Sequence, residues 1–278
     1  MPELPEVEVT RLGISSHLQG RSISAVKVLD GRLRWPVPKN LPKILFGQKV
    51  LSINRRGKYL LIEMGTGYLL IHLGMTGTLR VLPVSEPLKT HDRVIFEFGK
   101  LSLRLYDPRK FGAVLWHPKS QGPIENNALL LKLGIEPFSP EFSGDLGAEI
   151  LYQSSRKRSI AVKQFLLAGQ VVVGVGNIYC SESLFEAGIH PAKPAGKLTR
   201  PQCSRLASAV RLILKRAIDA GGSSLKDFVN SDGDPGHFMV QTKVYDRKDL
   251  PCKVCKTPIK QMVQGQRSTY FCPVCQKR

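Results

Sequence analysis

The sequence predicts an α+β protein of two domains, an antiparallel β-sandwich with flanking helices followed by a helical domain that ends in a four-cysteine hairpin. Three observations lead to this fold class. Short apolar runs separated by Gly, Pro and Asp fill the first part of the chain, apolar residues at helical spacing fill the second, and two Cys-x2-Cys pairs stand at the end. A chain of 278 residues can bury a substantial core and suggests two domains.

A helix is predicted at the start of the chain, where the sequence reads MPELPEVEVT. Proline is tolerated in a first helical turn, and glutamates there complement the helix dipole. Apolar residues then recur at roughly helical spacing, which indicates a face that packs on a core: Leu4, Val7, Ile14 and Leu18. The two prolines and two glutamates also permit another interpretation, in which the start of the chain takes part in chemistry. The segment alone leaves both open.

Strands are predicted from Arg21 to about Trp116. The runs YLLIEM, YLLIHL, RVIFEF and LSLRLY are separated by Gly, Pro and Asp at strand-like intervals, which is typical of an antiparallel sandwich or barrel. The following stretch, LGIEPFSPEFSGDLG, has three glycines, two prolines and no periodicity. We therefore predict a domain boundary there, with an N-terminal β-sandwich domain over residues 1–133 and a linker over 134–150.

Helices are predicted beyond this boundary. Thr199 and Gln202 have the spacing of a capping box, and Gly221 supplies the end of the same helix. Its buried face consists of Leu206, Val210, Ile213 and Ala217. The segment GNIYCSESLFEAG predicts an earlier helix that ends at Gly188, before Pro191.

The charge of the chain indicates a polyanionic partner. Lys and Arg number 41 against 22 acidic residues, for a net charge of +19, and residues 151–278 carry 21 of these bases against 8 of these acids, or +13. Such an excess favours nucleic acid and predicts salt-sensitive binding. An anionic membrane is the rival partner, but no basic amphipathic helix with bulky aromatic residues is evident. With no signal peptide or membrane-spanning run evident, we expect a cytoplasmic protein.

Two Cys-x2-Cys pairs separated by sixteen residues form the most specific motif. Each pair presents two sulfurs from one tight turn, and two such turns complete the tetrahedron that zinc prefers. The absence of an open position indicates a structural ion rather than a catalytic one, and two disulfides are disfavoured in a cytosolic chain. The predicted ligands are Cys252, Cys255, Cys272 and Cys275, whereas Cys180 and Cys203 are expected to be unpaired and buried.

Two further features point to a DNA backbone. The segment QGQRSTYF between the cysteine pairs predicts a hairpin, with Arg267 facing away from the metal. The segment GVGNIY places Gly174, Gly176 and Asn177 at a helix N-terminus, where phosphates bind well. Each pattern is weak alone, but together they suggest two contacts with one DNA backbone.

Seven motifs in order along the chain carry a resemblance to a known family. They are PELPEVE, GKYLL, HLGMTG, DPRKFG, VVVGVGNIYCSESLFEAGIHP, GGSSLKDF and the terminal four-cysteine hairpin. Together they resemble the formamidopyrimidine-DNA glycosylases of the Fpg/endonuclease VIII family. The resemblance implies a helix-two-turns-helix DNA-binding domain over residues 151–240 and a four-cysteine zinc finger over 241–278. It also implies a monomer that excises oxidised purines, namely formamidopyrimidines and 8-oxoguanine, from double-stranded DNA and then cleaves the strand by β,δ-elimination.

The resemblance also assigns a role to the start of the chain. In the family, the initiator methionine is removed, and the secondary amine of the exposed proline, here Pro2, attacks C1′ of the damaged nucleotide and forms an iminium. This chemistry is sensible because a terminal amine, with a reference pKa of about 8, is partly neutral at physiological pH, whereas a lysine, at about 10.4, is almost wholly protonated.

The other catalytic residues come from the same resemblance. Glu3 matches the catalytic acid beside the amine, and Glu6 matches a supporting acid, although an ordinary place in the first helical turn remains open for Glu6. Lys58 matches the proton donor for β-elimination and is also suited to hold a phosphate. Arg267 matches the residue linked to δ-elimination. Because a guanidinium is a poor proton donor, phosphate binding weighs at least as heavily for Arg267.

By the same match, DNA contacts are expected at Met75, His91, Arg109, Phe111, Arg158, Lys163 and Asn177. In the family, the residues that correspond to Met75, Arg109 and Phe111 fill the gap left by the extruded nucleotide. Without the resemblance, Met75 and Phe111 would be assigned to the core. The segment GGSSLKDF resembles the lid over the flipped base.

The chain departs from the family's pattern in KQFLLAGQ, at Gln164, Phe165 and the Ala168-Gly169 pair. Two alternative functions remain open from the sequence. An endonuclease VIII-like enzyme for oxidised pyrimidines would share the proline and the zinc hairpin, but Leu4 and the three gap-filling residues favour the purine enzyme. A noncatalytic zinc-containing DNA-binding protein would need neither the Pro2-Glu3 start nor Lys58.

Overall fold

The computed structural model describes residues 2–223 and 238–277. The chain divides into two compact units, which are referred to below by the part of the chain that each mainly contains. The N-terminal unit comprises Met1–Leu131 with Ile218–Met239, and the C-terminal unit comprises Lys132–Ala217 with Val240–Arg278. The described residues 218–223 and 238–239, within the predicted second domain, therefore group with the N-terminal unit. None of the helices in the described ranges has the length and hydropathy that a membrane crossing requires.

The N-terminal unit contains two four-stranded antiparallel sheets, as the sequence predicts. Their orders are β1-β6-β7-β5 and β2-β3-β4-β8. The strands are β1 (Ala25–Val28), β2 (Val50–Arg56), β3 (Tyr59–Met64), β4 (Gly67–His72), β5 (Thr78–Pro83), β6 (Asp92–Phe98), β7 (Leu101–Tyr106) and β8 (Ala113–Pro118). Apolar side chains from both sheets meet in one core, for example Ile62 and Ile71 from one sheet with Phe96 and Leu103 from the other. Burial of these facing side chains makes the two sheets a sandwich.

Helix α1 (Leu4–Leu18) packs on the sandwich core through the predicted face. Its buried residues include Leu4, Val7, Ile14 and Leu18, which confirms the predicted buried face. Glu3 is the N-cap, and a capping box joins it to Glu6, so the helix begins immediately after the Pro2-Glu3 start. A second, short helix in this unit, α2, spans Leu41–Leu45.

The C-terminal unit is helical, with a zinc hairpin near the end of the chain. Its helices are α3 (Gly144–Ser155), α4 (Val162–Leu167) and α5 (Asn177–Glu186), together with most of α6 (Arg200–Asp219). Thus α3 begins inside the segment 134–150 that the sequence assigns to a linker. The predicted capping box of α6 is present: Thr199 N donates to Gln202 Oε1 at 3.1 Å, and Gln202 N donates to Thr199 Oγ1 at 3.3 Å. The buried face of α6 includes all four predicted residues.

The hairpin consists of strands β9 (Lys260–Gln264) and β10 (Arg267–Phe271), which pair antiparallel. Its small core contains Phe185, Val244 and Ile259 together with the sulfurs of the cysteine pairs. Cys180 and Cys203 are buried and neither forms a disulfide bond, as predicted. The second described range begins with the short helix α7 (Phe238–Gln241). The predicted lid segment GGSSLKDF, residues 221–228, lies outside the described residues beyond Ser223.

Candidate active site and nucleic-acid interface

The start of the chain is buried and held by the carboxylate of Glu6. Glu3 is 2% exposed and Glu6 is fully buried. Glu3 N donates to Glu6 Oε2 at 2.7 Å, and Ser223 donates to Glu6 Oε1 through both its backbone N, at 2.8 Å, and its Oγ, at 2.7 Å. A buried carboxylate needs such donors to offset its lost hydration. Glu6 therefore fixes the backbone beside Pro2 and joins it to the chain segment that leads into residue 224.

Lys58 lies in the tight turn between β2 and β3. Gly57 occupies the first turn position with φ of +58°, a conformation that favours glycine. Arg55 Nη1 donates to Gly57 O at 3.0 Å, and Arg55 Nε donates to Glu8 Oε2 on α1 at 2.8 Å. The Arg55 guanidinium thus connects the turn that carries Lys58 to the helix that begins after Pro2 and Glu3.

The carboxylate of Glu8 is held in its charged form. Burial raises the pKa of this carboxyl, but hydrogen bonds and charges from Arg11 and Arg55 outweigh burial and leave the pKa below its ordinary value. Arg11 Nη2 donates to Glu8 Oε1 at 2.7 Å. The ion pair between Glu8 and Arg55 is therefore available to position Lys58 throughout the physiological pH range.

His72, a residue that the sequence analysis did not single out, belongs to the surroundings of Lys58. Burial, followed by the positive charges of Lys58 and Arg34, lowers the pKa of His72 to about 4. The imidazole is therefore neutral at physiological pH, and its Nδ1 accepts a hydrogen bond from Gly74 N at 3.0 Å. This leaves Nε2 as the protonated donor. His72 begins the HLGMTG motif, and it pairs with Tyr59, the residue after Lys58, across β3 and β4. The motif and this pairing are the signals that could have identified His72 as a neighbour of Lys58.

The predicted gap-filling residues form an exposed group in the N-terminal unit. Met75 is 38% exposed and Phe111 is 43% exposed, so neither belongs to the core. The Arg109 guanidinium lies 5.1 Å from the centre of the Phe111 ring, a cation–π geometry. An apolar pair beside a stacked cation can both enter a base stack and offer hydrogen-bond donors.

His91 is half-buried in the turn immediately before β6. Its Nδ1 lies 3.1 Å from Arg93 Nη2, and its ring packs edge-on against Tyr106 at 5.7 Å between centroids. These contacts fix the orientation of the imidazole while part of it stays accessible.

In the C-terminal unit, Arg158, Asn177 and Arg267 have accessible surface, whereas Lys163 has none. Lys163 Nζ donates to Ser268 O at 3.1 Å and to Thr269 Oγ1 at 2.7 Å. Asn177 Nδ2 donates to the same Ser268 oxygen at 3.1 Å. The expectation that Lys163 contacts DNA directly is therefore corrected: its buried ammonium holds strand β10, the strand that begins with Arg267.

The four cysteine sulfurs predicted to bind zinc come together. All lie within 4.8 Å of one another, with Cys252 and Cys275 at 3.9 Å and Cys255 and Cys272 at 3.4 Å between sulfurs. A tetrahedron with Zn–S distances of about 2.3 Å has edges of about 3.8 Å. The donor set and its spacing fit one structural zinc ion, which would be held by these four thiolates.

A buried glutamate anchors the chain that enters the zinc hairpin. Glu182 on α5 accepts hydrogen bonds from the backbone N–H groups of Lys243, Val244 and Tyr245 at 2.8–2.9 Å. Burial raises the pKa of this carboxyl, although the three N–H donors act in the opposite direction. Glu182 could not be predicted as an anchor, because no neighbouring residue distinguishes a buried acidic anchor from a solvated helical glutamate.

Family comparisons cover nearly the whole chain. Residues 1–114 match the formamidopyrimidine-DNA glycosylase N-terminal domain, residues 133–229 match the H2TH domain of the same enzymes, and residues 249–278 match the zinc finger found in FPG and IleRS. These matches and the four-cysteine site define a DNA glycosylase with a helix-two-turns-helix domain and a structural zinc ion. The chain belongs to the formamidopyrimidine-DNA glycosylase family.

Individual relatives agree with this assignment. The formamidopyrimidine-DNA glycosylase of Polynucleobacter necessarius subsp. necessarius is 84% identical over all of both chains, and that of Burkholderia vietnamiensis is 56% identical over all of both. Among solved structures, a mutant Lactococcus lactis FPG in complex with Fapy-dG-containing DNA aligns over all of both chains with a TM-score of 0.91 at 32% identity. The Thermus thermophilus MutM (Fpg) protein covers 99% of this chain and 98% of its own with a TM-score of 0.87 at 35% identity.

Proposed function

We propose that this chain excises oxidised purines, namely formamidopyrimidines and 8-oxoguanine, from double-stranded DNA and cleaves the strand at the resulting abasic site. The observation that carries the proposal is the buried start of the chain, where Glu6 binds the backbone N–H of Glu3 next to Pro2. Relatives named for formamidopyrimidine and a solved relative with Fapy-dG-containing DNA support the substrate class. In this proposal the protein acts on such DNA in the cytoplasm, and it acts as a monomer.

Base excision starts at the amine of Pro2 after removal of Met1. The nitrogen lone pair attacks C1′ of the damaged nucleotide, the C1′–N bond to the base breaks, and the base leaves with that electron pair and gains a proton. Opening of the sugar ring between C1′ and O4′ then gives an iminium at C1′. Glu3 supplies the proton that O4′ needs, and the amine loses its own proton.

Strand cleavage follows from the charge of the iminium. The cation acidifies the protons on C2′, so removal of one of them expels the 3′ phosphate in a β-elimination. The C2′ proton passes to the carboxylate of Glu3, which has already given its own proton to O4′, and Lys58 acts as the proton donor to the departing phosphate. Arg55 connects the turn that carries Lys58 to Glu8 on α1. Neutral His72 adds an N–H donor near Lys58 without adding a second positive charge. Arg267 assists the subsequent δ-elimination by binding the departing phosphate.

DNA binding is shared by exposed residues of both units. Met75, Arg109 and Phe111 fill the gap left by the flipped nucleotide, and their exposure supports this role. His91, Arg158 and Asn177 contact the backbone. Lys163 acts through Ser268 and Thr269, by holding the strand that presents Arg267.

Borohydride trapping tests the proposed function. Protein that lacks Met1 and contains zinc is incubated with an 8-oxoguanine:cytosine duplex and borohydride, which reduces the iminium to a stable covalent adduct. We expect a shifted protein–DNA band with this duplex and a much weaker band with an otherwise identical duplex that carries an oxidised pyrimidine. Failure of active, zinc-loaded protein to form any adduct would overturn the lyase mechanism, and stronger trapping by the pyrimidine lesion would overturn the substrate class.

Arg109 is expected to read the base opposite the lesion. Its guanidinium offers several donors and no acceptor, which matches O2 and N3 of cytosine and conflicts with the amino group of adenine. A bidentate contact of this kind is worth about 1–3 kcal/mol, so Arg109→Ala should lower the cytosine-to-adenine ratio of single-turnover excision rates by about ten- to a hundredfold.

The matched control for this prediction is Arg158→Ala. Arg158 is also exposed but is proposed to contact only the backbone, so its loss should slow excision opposite both bases equally. If Arg109→Ala keeps the wild-type ratio, Arg109 is only another phosphate contact.

A further inference from the structure

Asp107, which has no assigned role, is a fully buried residue between β7 and β8 with a partner for every polar group. Its carboxylate accepts from Thr76 Oγ1 at 3.0 Å and from Gly112 N at 2.8 Å. Its backbone N donates to His91 O at 2.9 Å, and its backbone oxygen accepts from Arg93 Nε at 2.9 Å. A single residue therefore makes four hydrogen bonds to groups at three separate places in the sequence.

These places carry the proposed DNA contacts of the N-terminal unit. Thr76 follows Met75, His91 is itself a proposed contact, and Gly112 follows Phe111 in the loop that begins with Asp107. The loop that contains Gly74 and Met75 also contacts the loop that contains Phe111 and Gly112 through the backbone. A Cβ on Gly74 would lie 2.3 Å from the carbonyl carbon of Phe111, and Gly74 has φ of +64°, so only glycine fits there.

The exposed side chains of Met75 and Phe111 lack the close packing that orders a core residue. Apolar surface left in water contributes little to holding a loop in place, so the order of these loops must come from the bonds beneath them. The carboxylate of Asp107 spans the two loops directly, one oxygen to each. Its loss would leave Gly112 N without this acceptor and would free the two loops to move independently.

We propose that Asp107 is a positioning residue that holds Met75 and the Arg109–Phe111 loop in one fixed arrangement for entry into the DNA gap. The inference rests on the proposed function, since Asp107 would supply the geometry with which Arg109 reads the opposite base. Binding geometry of this kind must be held to a fraction of an ångström, which isolated surface loops do not achieve.

The hydrogen bonds of Asp107 suggest two contrasting variants. Asp107→Ala removes both side-chain acceptors. Asp107→Asn can keep both hydrogen bonds, one of them with its direction reversed. Its amide oxygen can accept from Gly112 N, and its amide nitrogen can donate to the hydroxyl of Thr76, which then acts as an acceptor. Thr76→Val removes that acceptor, so Asp107→Asn should be tolerated alone and should fail when combined with Thr76→Val.

The experiment measures gap filling and excision separately. Gap filling is followed by the fluorescence of 2-aminopurine placed opposite a tetrahydrofuran abasic analogue in a duplex, a signal that rises when the opposite base unstacks and needs no chemistry. Excision is followed by single-turnover rates on 8-oxoguanine opposite cytosine and opposite adenine. Lyase activity on a preformed abasic site in single-stranded DNA, which offers no opposite base, serves as the reference rate. His117→Ala, a change at a buried polar residue toward the distal end of β8, controls for general destabilisation.

We expect Asp107→Ala to lose most of the fluorescence rise and to lower duplex excision relative to the reference rate by about tenfold or more, as misplacement by about 1 Å does elsewhere. The cytosine-to-adenine ratio should fall with it. Asp107→Asn should restore both readouts, and His117→Ala should lower thermal stability without changing either. Equal losses in Asp107→Asn and Asp107→Ala, or a wild-type fluorescence rise in Asp107→Ala, would overturn the inference. Absence of 8-oxoguanine excision in wild-type protein would instead overturn the proposed function, while the fluorescence comparison would still test Asp107.

Discussion

Protein that keeps Met1 is expected to lose base excision almost completely while its affinity for duplex DNA stays near normal. With Met1 attached, the nitrogen of Pro2 is an amide, whose lone pair is delocalised into the carbonyl and cannot attack C1′. Removal of a nucleophile typically costs several orders of magnitude, so we expect a fall of at least about a thousandfold in the single-turnover excision rate. An uncleaved N-terminal tag or acetylation of Pro2 should have the same effect.

Buried hydrogen bonds fix the chain beside the proposed nucleophile. The backbone at Glu3 is fixed by Glu6, and Glu6 is fixed by Ser223, so the position of the terminal nitrogen is set by buried hydrogen bonds. Pro2→Gly provides the control, since it restores a terminal amine that is primary rather than secondary. We expect slower excision with residual cleavage at preformed abasic sites. Mass spectrometry of the N-terminus must accompany the rates, and full activity of a Met1-retaining sample would refute the mechanism.

Loss of the zinc ion is expected to have the second-largest effect, on DNA affinity. The hairpin of β9 and β10 has a small core in which the cysteine sulfurs are major members, so metal binding supplies much of its folding free energy. Cys255→Ser should release the metal and unfold the hairpin locally. Arg267 would then lose the strand that Lys163 and Asn177 hold in place. At physiological salt we expect the affinity for duplex DNA to fall by at least about tenfold, with a smaller dependence on salt because fewer phosphates are neutralised.

Cys203→Ser is the matched control for the zinc prediction. Cys203 is a buried cysteine on α6, outside the metal site, and burial raises its pKa to about 11. It therefore stays a neutral thiol, and its replacement should leave zinc content and DNA affinity unchanged. Zinc content is measured by metal analysis and affinity by fluorescence anisotropy over a salt series. Unchanged affinity in a zinc-free Cys255→Ser protein would show that the hairpin does not contribute to DNA binding.

Features that depend on residues close together in the chain could be predicted from the sequence. Helix α1 and its buried face follow from the spacing of Leu4, Val7, Ile14 and Leu18, because side chains three and four residues apart share one side of a helix. The capping box at Thr199 and Gln202 and the two cysteine turns are likewise local, since each is completed within a few residues. The ordered motifs identified the family, and the comparisons confirmed it.

Contacts between groups far apart in the sequence became evident from the folded chain. Lys163 looked like a DNA contact by its position in a motif, but its ammonium is buried against residues more than a hundred positions away in β10. Met75 and Phe111, which their residue types alone would assign to the core, are exposed. The hydrogen bonds of Asp107 and the Glu6–Ser223 pair likewise cannot be predicted from sequence periodicity. A polar side chain can satisfy its hydrogen bonds with water or with any buried partner, and the packing of the complete chain determines which of these is available.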